Sequence, residues 1–146
     1  MLQDTKALHR TLSDAAVMEY IEKPFDLQKT GWFILHAAIG ETPLVYGLIW
    51  QETGGLIGHV IFHPYGHNDR EIGWVIHPDY WGRGIAREVT AALIEQAKKE
   101  HADGCVIECS PQQAVSRRIA LKYGFEPMGE TEGCMVYRLS FNPTPQ

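Results

Sequence analysis

The sequence predicts an α+β fold, a mixed and mostly antiparallel twisted sheet flanked by helices. Three observations lead there. Helical patterning and helix caps run up to about Ile39; three short runs rich in Val, Ile and aromatic residues then succeed one another between residues 44 and 77; from residue 84 onward, helical and strand patterns alternate.

The elements follow in order. In "TLSDAAVMEYI" (11–21), Ser13 or Asp14 is a suitable helix cap. In "FDLQKTGWFILHAAIG" (25–40), Asp26 caps the start, Gly40 stops the end, and Trp32 and Leu35 are apolar positions between them. The runs "LVYGLIWQ" (44–51), "GLIGHVIFH" (55–63) and "REIGWVIH" (70–77), punctuated by Gly-Gly and "PYGHND", read as an antiparallel meander. "GIAREVTAALIEQAKKEH" (84–101) repeats Ile85, Val89, Ala92 and Leu93 on one helical face, with Lys98 and Lys99 suited to its C-terminal end. "GCVIECS" (104–110) is a strand. "SPQQAVSRRIALKYG" (110–124) is a helix with Ser110 as N-cap, Pro111 at its first position and Gly124 as its stop. "FEPMGE" and "CMVYRLSF" close the sheet, and "NPTPQ" reads as a frayed tail.

Composition bounds the function. A chain of 146 residues with 45% hydrophobic and 21% charged content is one domain, residues 1–146, with enough apolar material for a core. A net charge of −5 argues against a nucleic-acid surface. Cys105, Cys109 and Cys134 have no CxxC spacing, so neither a zinc site nor a disulfide framework is expected. The start has no signal-peptide core and no run is long enough to span a bilayer, so a cytoplasmic protein without a membrane partner is the expectation. His59, His63 and His67 stand four apart, a metal spacing on a helix. Pro64 and Gly66 break any helix there, so solvated or substrate-lining histidines are expected and no metal.

One stretch asks for chemistry. "IHPDYWGRGIAREV" (76–89) passes from strand to helix through Gly82 and Gly84. The first N–H groups of a helix lack internal partners and the helix dipole favours negative charge there. Glycines let backbone approach a bulky phosphate, Ala86 keeps the first turn small, and Arg83 or Arg87 adds charge at the rim. A tight connection without a ligand is the alternative; the stretch has neither GxGxxG spacing nor a P-loop.

"EIGWVIHPDYWGRGIAREVTAALIEQA" resembles the acetyl-CoA-binding motif of the GNAT superfamily of N-acetyltransferases, Q/R-x-x-G-x-G/A. Trp81 takes the Q/R position, and Gly84 and Ala86 take the other two. Trp-Gly-x-Gly-x-Ala is a variant found in the branch similar to ribosomal-protein N-terminal acetyltransferases. "PQQAVSRRIALKYGFEPMG" resembles that branch's later motif: Ser116, Gly124 and Phe125 match, and Gln113 stands where Asn is usual. The likeness runs from about Ser13 to Leu139.

The resemblance implies that backbone groups of Ile76 and His77 pair with the pantetheine arm of acetyl-CoA. It implies that the amides of Gly82, Arg83, Gly84, Ile85, Ala86 and Arg87 hold the pyrophosphate, with Trp81, Gln113 and Ser116 also at the cofactor. It implies an amine acceptor, a small molecule or a protein N-terminus, acetylated by direct transfer. Relatives place a catalytic carboxylate on the strand before the motif, which makes Glu71 the first candidate base; Glu108, on the next strand, is the second. A backbone amide of residue 76 or 77 is the candidate donor to the thioester carbonyl.

Several residues have plainer readings. Ser110-x-x-Gln113 is a capping box, so Gln113 ties the helix start. Trp81 packs over the turn. Ser116 can also back-bond within its helix. Arg117 and Arg118 either reach the 3′-phosphate or face water. Met18, Trp32 and Phe33 are wall or core of the early helices.

Two departures from the family stand out. The later helix has Ala120 where many relatives carry a Tyr that protonates the leaving thiolate, so Ser116 inherits that role. The family's usual first strand has no counterpart ahead of the first helix: it is absent, or it lies upstream of this start, or another element takes its place; an altered sheet edge, covered in a homodimer, is expected. Both departures keep alive an alternative, a non-catalytic module that binds or senses acyl-CoA. A Rossmann-type nucleotide domain is disfavoured by the strands before the turn.

Overall fold

The computed structural model describes residues 4–18, 21, 24–39 and 43–142. Gly40 and all of "NPTPQ" but Asn142 lie outside the described residues, so the predicted stop and tail do too. The helices are α1 (Thr5–Leu12), α2 (Ala15–Met18), α3 (Leu27–Phe33, continued by a π turn over Ile34–Ala38), α4 (Ile85–Lys99) and α5 (Ala114–Lys122). The strands are β1 (Val45–Trp50), β2 (Gly55–Tyr65), β3 (Asp69–Ile76), β4 (Gly104–Cys109), β5 (Glu126–Thr131) and β6 (Cys134–Ser140). They form one six-stranded sheet in the order β1-β2-β3-β4-β6-β5. β1–β2, β4–β6 and β5–β6 are antiparallel, and β3–β4 is parallel. This is the α+β class that the sequence predicts. Among the described residues no strand precedes β1, which stands at the sheet edge.

The described residues fall into two compact units. One holds those up to His63 together with Trp74–Ala86; the other holds Pro64–Gly73 and those from Arg87 onward.

In the first unit Leu8, Leu12, Met18, Phe25, Ile34 and Val75 form the core, with Phe33 packed against it. Asp14, not Ser13, caps α2: its Oδ1 accepts from the N–H groups of Ala16 and Val17 at 2.9 and 3.1 Å. Asp26 caps α3, accepting from the Lys29 amide at 2.7 Å. Of the two readings of Trp32, wall or core, the core one is excluded: it is 58% exposed and stacks on His36 at 4.3 Å between ring centroids, while the helix turns Phe33 and Ile34 inward.

β2 is buried from Ile57 to Val60, and this corrects the expectation of a solvated His59. Its ring is 5% exposed, lies 5.2 Å from that of Phe33, and keeps Nδ1 buried without a hydrogen-bond partner. Burial pushes its pKa down from 6.5 to about 4, since the charged ring is poorly solvated there. The folded value lies below the unfolded one. The neutral ring's contribution is therefore complete above pH 6.5 and is lost as pH falls from 6.5 toward 4. A shift of that size corresponds to roughly 3 kcal/mol. Thermal melts of the wild type and of His59→Leu across this range test it. The wild type is expected to lose stability more steeply on acidification; parallel curves would refute the assignment.

In the second unit, Arg138 reaches across from β6 and binds Asp69 in two bonds, Nε to Oδ2 at 2.9 Å and Nη2 to Oδ1 at 3.0 Å. The buried stripe of α4 is Thr90, Ile94 and Ala97, one step around the helix from the predicted face; Ala92 is exposed. α5 begins at Ala114 rather than Ser110. Gln113 is its N-cap, and the Gln113 Oε1 accepts from the Ser110 amide at 2.8 Å, so the capping pattern ties a turn that precedes the helix. The end follows the sequence reading. Gly124, at φ +86°, lets its amide reach Leu121 O and the Phe125 amide reach Ala120 O, a Schellman closure.

Candidate active site

The glycine turn is built within the first unit. β3 ends at Ile76, a single 3₁₀ turn covers Pro78–Tyr80, and α4 starts at Ile85. Gly82 and Gly84 have φ of +75° and +77°, the left-handed region where glycine avoids the side-chain cost. A Cβ built on either glycine meets no heavy atom within 4 Å. The backbone is thus exposed on an open side directly before a helix start, where amides without internal partners favour an anion. These residues fit a diphosphate.

Neighbours fix the turn. Trp81, although 51% exposed, donates its indole N–H to Ile76 O at 2.8 Å and so closes the segment on itself. Arg83 lies over the rings of Tyr80 and Trp50, at 5.1 and 5.7 Å, and these two rings are 5.2 Å apart. Arg83 is expected at the rim from sequence; Trp50 and Tyr80, its support, carry no local signal. His77 is engaged twice: its amide donates to Ile57 O at 2.8 Å, and its Nδ1 accepts from the Asp79 amide at 3.2 Å. Two groups expected to be offered to a ligand, Ile76 O and the His77 amide, therefore already hold partners within the protein. Ile85 and Ala86 are half-buried at the start of α4.

The second unit holds the candidate acids. Glu71 pairs with Val106 across the parallel β3–β4 ladder. Glu108 is exposed on β4, between buried Ile107 and Cys109. The Tyr65 hydroxyl donates to Glu108 Oε1 at 2.8 Å. That bond, burial, and the charges of Glu108, Glu71 and Asp69 push the phenol up to about 12. Tyr65 thus holds one candidate carboxylate, Glu108, a contact that no short-range pattern announced.

On α5, Ser116 is half-buried in the first turn and Ala120 is fully buried, so the position of the family's Tyr is part of the core. Arg87, Arg118 and Lys122 line a cavity of about 170 Å³ with Val115 and Ile119, and the Tyr123 hydroxyl donates to Arg87 O at 3.0 Å. Of these cations, Lys122 was not singled out from sequence. Arg117 instead turns toward Pro111 O, at 3.4 Å.

The three cysteines are free. Burial pushes the Cys105 thiol up to about 12 and raises that of Cys109, which disfavours the thiolates at neutral pH. Among the described residues no group of three or more His, Cys, Asp or Glu is placed to hold a metal ion, and no helix is long and apolar enough to cross a membrane.

Comparison with known proteins agrees with this geometry. The model of the acetyltransferase (GNAT) domain matches residues 1–126, and the chain belongs to that family of N-acetyltransferases. It is 29% identical over 135 residues to the uncharacterized N-acetyltransferase YnaD of Bacillus subtilis (strain 168), covering 91% of this chain and 79% of that protein. The GNAT-family acetyltransferase of Bacillus anthracis superposes with a TM-score of 0.84 at 27% identity, over 96% of this chain and 90% of that one. The yncA protein of Salmonella typhimurium, solved with its cofactor acetyl-CoA, shares the fold. Its TM-score is 0.68 at 20% identity, over 100% of this chain and 93% of that one.

Proposed function

We propose that this chain is a single GNAT-like domain that uses acetyl-CoA to acetylate a primary amine by direct transfer. The acceptor is a small-molecule amine or a protein N-terminus. The observation that carries the reading is the open turn at Gly82 and Gly84 before α4, with positive φ at both glycines and no atom where their side chains would be. Bound there, acetyl-CoA supplies an activated thioester. The amides from Gly82 to Arg87 are the candidate pyrophosphate donors, with Ile76, His77 and Trp81 along the approach to them. The cavity of Arg87, Arg118 and Lys122 suits a further phosphate.

Glu71 and Glu108 are the candidate proton acceptors for an amine that must be neutral to attack. Ser116 is the candidate hydroxyl for the leaving thiolate, and Gln113 orders the turn ahead of it. The raised thiols of Cys105 and Cys109 favour direct transfer over a cysteine intermediate. The edge strand β1 bears no charged side chain from Leu44 to Trp50, and Leu44, Tyr46 and Ile49 are 45%, 46% and 50% exposed, which supports a homodimer that covers it. A cytoplasmic location belongs to this reading; among the described residues no helix is long and apolar enough to cross a membrane.

Calorimetric titration with acetyl-CoA and, separately, with NAD tests the cofactor. Saturable binding of acetyl-CoA alone is the expected result. Equal binding of both, or of NAD alone, would refute the reading.

A further inference from the structure

We infer that Tyr65 is a positioning residue for the proton acceptor of acetyl transfer, holding the Glu108 carboxylate in one orientation. The inference rests on the proposal that Glu108 serves as that acceptor.

Tyr65 is the last residue of β2 and Glu108 the fifth of β4, yet the phenol donates to Glu108 Oε1 at 2.8 Å. Burial alternates along the end of β4: Ile107 and Cys109 point inward and Glu108 outward. An outward carboxylate without a partner samples several rotamers, and ordering it from that ensemble costs side-chain entropy. A fixed donor removes that cost before any substrate arrives.

Glu71 and Asp69 of β3 add negative charge near the phenol, and Asp69 is compensated by Arg138 of β6. The residue opposite Glu108 on β6 is Val136, which brings no charge. In this acidic setting the phenol's ionisation is pushed up to about 12, first by its bond to Glu108. Tyr65 therefore remains a donor at any working pH and is not itself the acid or base. Its effect passes through the Glu108 carboxylate that it holds.

Tyr65→Phe and Glu108→Gln, each in the full chain, decide the matter with two readouts. The first is carbon-13 NMR relaxation of labelled glutamate side chains, with the Glu108 signal identified by its loss in Glu108→Gln. The second is thiol release from acetyl-CoA with spermidine and with an alanine-initiated peptide as amines. In Tyr65→Phe the Glu108 side chain is expected to become more mobile, and kcat should fall about tenfold with KM for acetyl-CoA unchanged. A merely structural tyrosine would lower stability and leave the mobility of Glu108 as it is in the wild type.

Unchanged mobility of Glu108 in Tyr65→Phe overturns the inference, whether or not either amine is acetylated. Greater mobility with an unchanged kcat overturns the positioning role. Wild-type rates in Glu108→Gln remove the proton-acceptor assignment itself, and the Tyr65 role with it.

Discussion

Gly84→Glu is expected to raise the Kd for acetyl-CoA about a hundredfold or more while lowering Tm by only a few degrees. The substituted side chain projects into open space, with nothing within 4 Å of its Cβ, so no packing is lost. Its φ of +77° costs roughly 1–2 kcal/mol for a residue other than glycine, worth a few degrees in a chain of this size. Binding is affected far more. The new carboxylate stands at the start of α4, where it accepts from the amides that would otherwise meet a diphosphate and repels that diphosphate as well. Two charge-assisted hydrogen bonds lost amount to about 3 kcal/mol, or about a hundredfold in affinity. Gly84→Ala separates the contributions: it carries the same backbone strain without the charge and should weaken binding much less. Calorimetry on the three proteins reads the result. Wild-type affinity in Gly84→Glu would mean that the turn is only a connection.

Gly58→Ala is expected to be the most destabilising single methyl addition among the glycines described. Its Cβ would lie 2.0 Å from Val75 O, 3.0 Å from Val75 C and 3.1 Å from Ile76 Cα. These are backbone atoms of β3, so no side chain can rotate out of the way. The strands must separate, at the end of β3 that leads into the glycine turn. Overpacking of this kind costs about 3 kcal/mol or more, against a total stability of roughly 5–15 kcal/mol. A fall in Tm of about 10 °C follows. Gly66→Ala is the control: its φ is +58° and its Cβ meets nothing within 4 Å, so it carries conformational strain alone. Equal Tm values for the two variants would contradict the close approach of β3 to Gly58.

Local signals made much of this legible in the sequence. The β-rich runs, the capping Asp26 and the Schellman glycine at 124 act over a few residues, and each is in place. The glycine turn was legible for the same reason: positive φ at Gly82 and Gly84 is a local demand. The capping pattern at Ser110 and Gln113 was read correctly as a hydrogen bond but wrongly as a helix start, because the same side-chain bond can tie a turn. Features that depend on distant chain were not legible. Arg83 is held by Tyr80 nearby and Trp50 far off; Tyr65 meets Glu108 across 43 residues. His59 looked solvent-facing because strand alternation shows two faces but not which are covered, and β2 is buried on both over Ile57–Val60.

Acetyl transfer to an amine is decided by the product itself. The full chain is incubated with acetyl-CoA and a panel of polyamines, amino acids and peptides with free N-termini, and the amines are examined by mass spectrometry. An amine that gains one acetyl group at its nitrogen, stoichiometric with free CoA released, is expected with the wild type, and no such product with Gly84→Glu. Release of CoA without any acetylated amine, or an acetyl group retained on a cysteine of the protein, would contradict it.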